Sequence, residues 1–141
     1  MRFLLLSGLL LLISIVGCKK SSQSPQSPSL NAQVNSNWQL QLYVVGIGQV
    51  VHTTPDSVVT LSLGSGNQYT RRLNGQVYET GTYSLANVKA AYSNQLVPGI
   101  SFSSAAAASD PGWLITLEKD TLTLVLNVQT DGGFLKYTRA Q

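Results

Sequence analysis

The side chains that could carry chemistry in this chain are few, and their scarcity decides most of the reading. Among 141 residues there is one Cys, Cys18, and one His, His52. A single thiol forms no internal disulfide and no four-thiolate metal site. A single imidazole forms no paired-His metal site and leaves little for a triad, and no serine stands in a nucleophile elbow. Glu118 and Asp120 lie two apart, but Lys119 between them and the turn context read as a solvated turn. Gly46-Ile47-Gly48 lacks the third Gly and the following helix of a phosphate-binding loop. No catalytic residue, cofactor or metal is therefore expected, and the chain reads as a non-enzyme. His52 falls in a loop expected from Gly46 to Asp56, which also carries Val50 and Val51.

The reactive group with a definite context is Cys18. Ahead of it, Arg2 opens a leader whose apolar run continues through Val16. That run is short for a membrane span of about 20 residues but suits a signal-peptide core. The junction Ile15-Val16-Gly17-Cys18 resembles a bacterial lipoprotein signal, with a small residue just before the Cys. The resemblance implies that the Cys18 thiol receives a diacylglycerol, that cleavage makes it the first residue, and that its amine is then acylated by a palmitate-type chain. Residues 1–17 are then a signal peptide. The mature protein is expected in the bacterial cell envelope, held by its acyl chains at the outer membrane, since two or more chains anchor stably where one does not. Residues 18–37 come next as the acylated Cys and a tether. Lys19 to Asn37 is rich in Ser, Gln, Pro and Asn, has no aromatic residue and no hydrophobic period, and reads as disordered.

The formal net charge of +3 resides in this leading segment, at Arg2, Lys19 and Lys20. Beyond Asn37 the basic and acidic residues balance, so a nucleic-acid partner is not expected. Apolar residues make up 43% of the chain and charged ones 11%, which supports one folded domain rather than disorder.

From Trp38 the pattern acquires period two. Trp38, Leu40, Leu42 and Val44 alternate with polar positions, and Val59, Leu61 and Leu63 do the same. Gly64-Ser65-Gly66-Asn67 turns the chain into a strand from Gln68 to Leu73. Asn74-Gly75 is a strong type I′ hairpin signal. Gln76 to Leu85 returns, with a bulge expected at Gly81. Further strands are expected near Val97 to Ser103, Trp113 to Leu117, Thr121 to Val128 and Phe134 to Arg139, and Ala105 to Ala108 as a loop. Residues 38–141 thus form an all-β domain of eight antiparallel strands. Closure into an up-and-down barrel removes exposed edges, while a two-sheet sandwich also fits the count.

Counting outward from Asn74-Gly75 sets Arg72 opposite Val77, Arg71 opposite Tyr78 and Thr70 opposite Glu79. One face then carries Tyr69, Arg71, Leu73 and Tyr78. The other carries Thr70, Arg72, Val77 and Glu79, where Arg72 and Glu79 can pair diagonally. If the Leu73 face is inward, Arg71 stands inside among tyrosines, with Tyr83 and Tyr137 nearby, as a site for a carboxylate-bearing amphiphile would require. Otherwise Arg71 lies at the barrel mouth and snorkels to water. The residue pattern admits both placements. Apolar lining is expected from Leu40, Leu42, Leu61, Phe102, Ile115 and Leu124.

The segment from Trp38 to Arg139 resembles the small lipocalin-like barrels carried by lipoproteins of the Bacteroidetes type. The resemblance rests on the opening Trp38, on Asn74-Gly75 before Glu79-Thr80-Gly81-Thr82-Tyr83, and on the closing Lys136-Tyr137-Thr138-Arg139. In lipocalins the first-strand Trp stacks under an Arg of the last strand, which implies a structural pair of Trp38 and Arg139 at one barrel end. Ser36 stands where that family has Gly, and the domain is shorter than is usual. The resemblance implies a monomeric, membrane-anchored barrel that binds a small apolar or amphipathic ligand, with Tyr69, Arg71, Tyr78 and Tyr83 as candidate contacts. A protein-binding module, such as a hydrolase inhibitor acting through its loops, and a structural envelope lipoprotein without ligand are the alternatives.

Overall fold

A computed structural model of the chain describes residues 29–45, 49–105, 110–129 and 132–141. Cys18, the expected signal peptide and the expected tether up to residue 28 lie outside the described residues. The elements run α1 (Leu30–Val34), β1 (Ser36–Val45), β2 (Gln49–His52), β3 (Val59–Leu63), β4 (Gln68–Leu73), β5 (Gln76–Lys89), β6 (Leu96–Ser104), β7 (Trp113–Glu118), β8 (Thr121–Leu126) and β9 (Phe134–Arg139). Each strand from β3 to β9 pairs antiparallel with the next, and β9 returns to β1, which pairs with β3. The result is a closed eight-stranded up-and-down barrel with one extra strand.

That extra strand is β2, which forms the middle of the expected loop and carries His52, exposed to solvent. It pairs with Leu42–Val45 of β1, on the same edge that gives Ser36–Gln39 to β3. Strands β2 and β3 therefore behave as one strand interrupted by an excursion. Leu40 and Gln41 of β1 face seven residues there, Thr53 to Val59. Thr53 bridges the gap: its hydroxyl lies 3.0 Å from the Leu40 carbonyl and 3.1 Å from that of Gln41. The β1 carbonyls that lose a strand partner are thus still satisfied, as buried backbone requires.

The alternation expected through Leu42 is broken by a bulge. Leu40 pairs with Tyr137 and Leu42 with Lys136, leaving Gln41 as the extra residue. Gln41 turns its amide to the Thr138 hydroxyl at 2.9 Å. Leu42 consequently sits opposite exposed Lys136, and Tyr43 packs against the core in its place. Leu42 is not lining, contrary to expectation. The other expected lining residues, Leu40, Leu61, Phe102, Ile115 and Leu124, are all buried.

The domain begins earlier than Trp38. Ser29 caps α1 through a bond from Ala32 N–H to its hydroxyl, and Val34 is completely buried. A five-residue helix has no stability of its own. It is held because Leu30 and Val34 cover apolar side chains at the end of the barrel where β1 starts, and because the Trp38 indole donates to the Val34 carbonyl at 2.8 Å. The end of the expected tether is therefore part of the barrel.

The turns obey their sequence signals. Asn74 and Gly75 have φ of 51° and 81°, as a type I′ turn demands. The seam between β6 and β7 is the shortest, with only Gly99–Leu114 and Ile100–Trp113 paired. Asp110 covers the backbone there, accepting from the N–H groups of Phe102 and Gly112.

Candidate functional site

The hairpin of β4 and β5 positions the charged group of the site, through a register that outward counting misses. Leu73 pairs with Gln76 and Arg72 with Val77 as expected, but Arg71 then pairs with Glu79 and Thr70 with Thr80. The bulge lies at Tyr78, not at Gly81. One extra residue moves every following side chain to the other face. Glu79 is therefore brought to the Arg71 side, and Arg72 turns instead to the Ser62 hydroxyl at 3.1 Å. The diagonal Arg72–Glu79 pair is not formed. Gly81 has a different role. It faces Tyr69, and a Cβ there would come within 2.8 Å of the Tyr69 ring and 2.1 Å of the Ser103 carbonyl.

Arg71 Nη1 donates to Glu79 Oε2 at 2.7 Å, and the Tyr69 hydroxyl donates to Glu79 Oε1 at 2.6 Å. The two charged side chains retain only 19% and 16% of their exposure. The guanidinium carbon lies 4.7 Å from the centre of the Phe102 ring and 5.3 Å from that of Tyr69. Those two rings meet edge to face at 4.9 Å, forming an aromatic floor beneath the cation. Because Ser104, the last residue of β6, pairs with Gly81, Tyr78 and Glu79 stand on β5 beyond the end of β6. The ion pair is thus at the rim of the barrel, on its inner side.

The electrostatics keep this group charged. Burial alone would raise the Glu79 carboxyl, but the hydrogen bonds from Tyr69 and Arg71 outweigh it and hold it below the ordinary carboxylate range. Burial and the Glu79 carboxylate together push the Tyr69 hydroxyl up. Tyr137, 2% exposed on the inner wall, is pushed up to about 12 by burial, against a smaller pull from Arg71.

The four residues expected to gather do so only in part. Tyr69 and Arg71 meet. Tyr78, the bulged residue, is 56% exposed at the rim, and burial of its remainder raises its hydroxyl. Tyr83 leaves the group: its hydroxyl lies 2.7 Å from the Asn35 amide and 3.0 Å from the Gly64 carbonyl, tying β5 to the α1 end. Glu79 is the member that sequence reasoning placed on the wrong face, and no local signal marks the bulge that moves it.

At the α1 end Trp38 and Arg139 pair in register, and the Arg139 guanidinium carbon sits 4.6 Å from the Trp38 ring centre. Arg139 also bonds Asp120 at 3.2 Å and the Gln33 carbonyl at 3.3 Å. This is the expected structural pair. Outside the barrel, a cleft of about 80 Å³ between Val88, Gly99 and Trp113 carries no charged side chain. The rim cluster is the better candidate site.

Comparison adds no relative. No family model, curated protein or solved structure matches this chain. The site must be read from its own chemistry.

Proposed function

We propose that the chain is an envelope lipoprotein acylated at Cys18, and that its barrel takes a small apolar or amphipathic ligand at the rim that carries Arg71. The observation that supports this reading is the largely desolvated ion pair on the inner side of the barrel rim, beside the aromatic core residues Phe102 and Tyr69. A buried ion pair is commonly no more stabilising than apolar side chains of the same volume. Its retention beside an aromatic floor is better explained by recognition of a polar head group. Among the described residues only Glu79 hydrogen-bonds the guanidinium, so most of its five N–H groups remain for a ligand.

Native mass spectrometry after exposure to envelope lipid extract tests the reading. A bound amphiphile is expected, weakened by Arg71→Ala, and a protein that takes up nothing would overturn it. The anchor is tested separately. Cys18→Ser should release the protein from membranes or leave it uncleaved, and normal processing with membrane retention would exclude acylation.

One observation favours a second reading, a protein-binding module such as a hydrolase inhibitor. Val50, Leu73, Val77 and Tyr78 are all more than 40% exposed, on β2 and on the β4–β5 hairpin. In that reading the hairpin tip is the contact surface. Leu73→Ser with Val77→Ser would then abolish complex formation while leaving lipid uptake intact.

A further inference from the structure

We propose that the rim site selects neutral head groups bearing a hydrogen-bond donor beside an acceptor, a primary carboxamide being the simplest, and discriminates against free carboxylates. The inference rests on the ligand-binding reading above and names the ligand class of that same site.

It arises from how the charges are already matched. An unaccompanied Arg71 would attract an anionic head group. The bulge at Tyr78 instead places the Glu79 carboxylate 2.7 Å from the guanidinium, with both groups largely removed from water. The couple is neutral as a unit. A ligand carboxylate bound to Arg71 would bring a second negative charge beside Glu79, where a low local dielectric makes like charges costly. Displacing Glu79 offers no relief, because Tyr69 also donates to it at 2.6 Å. Two donors hold it in place.

The same couple suits a neutral head group. Among the described residues Arg71 keeps N–H donors without a partner, and a carboxylate has about four acceptor sites, of which Tyr69 and Arg71 use two. A carboxamide can place its carbonyl on the guanidinium and its NH₂ on Glu79, satisfying both partners without adding charge. A neutral alcohol could answer one partner at a time.

The experiment is calorimetric titration of the purified full chain with octanamide and with octanoate at pH 8. Octanamide is expected to bind tighter by on the order of ten-fold, about one unit of differential interaction. Equal affinities, or tighter octanoate, would overturn the selectivity while leaving the binding barrel standing. If neither ligand binds, but the lipid-extract experiment yields an adduct that Arg71→Ala weakens, this inference falls alone. If both experiments yield nothing, the binding reading falls with it. Glu79→Gln sharpens the result. It frees the Arg71 charge, so octanoate should gain and the preference should reverse. An unchanged preference in a folded Glu79→Gln protein would refute the role of Glu79. Should that variant fail to fold, the ratio measured on the unaltered chain still decides.

Discussion

The barrel contains two arginines that do the same thing in different surroundings. Arg139 lies over Trp38 and bonds Asp120, whereas Arg71 lies over Phe102 and Tyr69 and bonds Glu79. Each is a cation on an aromatic face with a carboxylate partner. The difference is the carboxylate: the Asp120 side chain keeps 79% of its exposure and Glu79 only 16%. At the α1 end water screens the ion pair, and the buried indole carries the stabilisation. At the rim the ion pair is largely desolvated, and Tyr69 and Arg71 fix the carboxylate between them. The first arrangement closes a fold. The second holds a charged pair within the inner face of the rim.

Four measurements would break or sharpen that contrast. The largest effect is expected from Trp38→Ala, which removes a fully buried ring, its bond to Val34 and the seat of α1. Urea unfolding should show a loss of about 3–5 kcal/mol. Next is the comparison of the two counterions. Glu79→Ala strands a largely buried guanidinium and should cost about 2–3 kcal/mol, at the lower edge of the range for a broken buried pair because some exposure remains. Asp120→Ala should cost less than about 0.5 kcal/mol. Equal losses would mean that burial does not separate the two sites.

The third measurement is alkaline unfolding. Tyr137 titrates near 12 in the fold against an ordinary 10.0. Its raised value means that the native state holds a proton the unfolded chain gives up. Stability is therefore complete below pH 10 and declines as pH rises from 10 towards 12, by about 2 kcal/mol. Absorbance of the ionised phenol at 295 nm, tracked together with unfolding, reports it. A Tyr137 that ionises near 10 without unfolding would contradict its burial. At the acid end Glu79 works in the opposite sense, because its lowered value makes stability decline as pH falls below the ordinary 4.5. Smallest is the coupling between Trp38 and Arg139. A double-mutant cycle should return about 0.5–1 kcal/mol, and strict additivity would mean that their contact carries no energy.

Of the two arginine sites, only one was legible in the sequence. Trp38 and Arg139 could be paired because they open the first barrel strand and end the last, strands that must adjoin when a barrel closes, and no bulge lies between them and those strand ends. Arg71 and Glu79 could not. Their meeting depends on Tyr78 being skipped, and the local residues do not penalise either register: Leu73, Val77 and Tyr78 are all apolar, and all end up exposed. Where both faces of a hairpin tip are wet, the alternation of apolar and polar residues ceases to carry information. The Gln41 bulge was hidden for a related reason, since Leu42 and Tyr43 are both acceptable on an inner wall. The eight barrel strands were legible because Asn74-Gly75, Glu118-Lys119-Asp120 and the clustered glycines punctuate them. The helix was not, because five residues of ordinary propensity become helical only through what Val34 buries.

The closure of β1 on β9 has a consequence for how the chain comes to be folded. Leu40 cannot find Tyr137 until β9 has been made, because the two strands that complete the wall are the first and the last of the barrel. Until then β1 and β8 each present an unpaired edge, the kind of surface on which chains join one another. Long-range pairing is slow, since the intervening segment must be brought round before any contact repays the loss of freedom. A nascent chain that lacks β9 is thus a ribbon with two adhesive borders, and truncation before Phe134 should yield aggregates rather than a slightly shortened barrel.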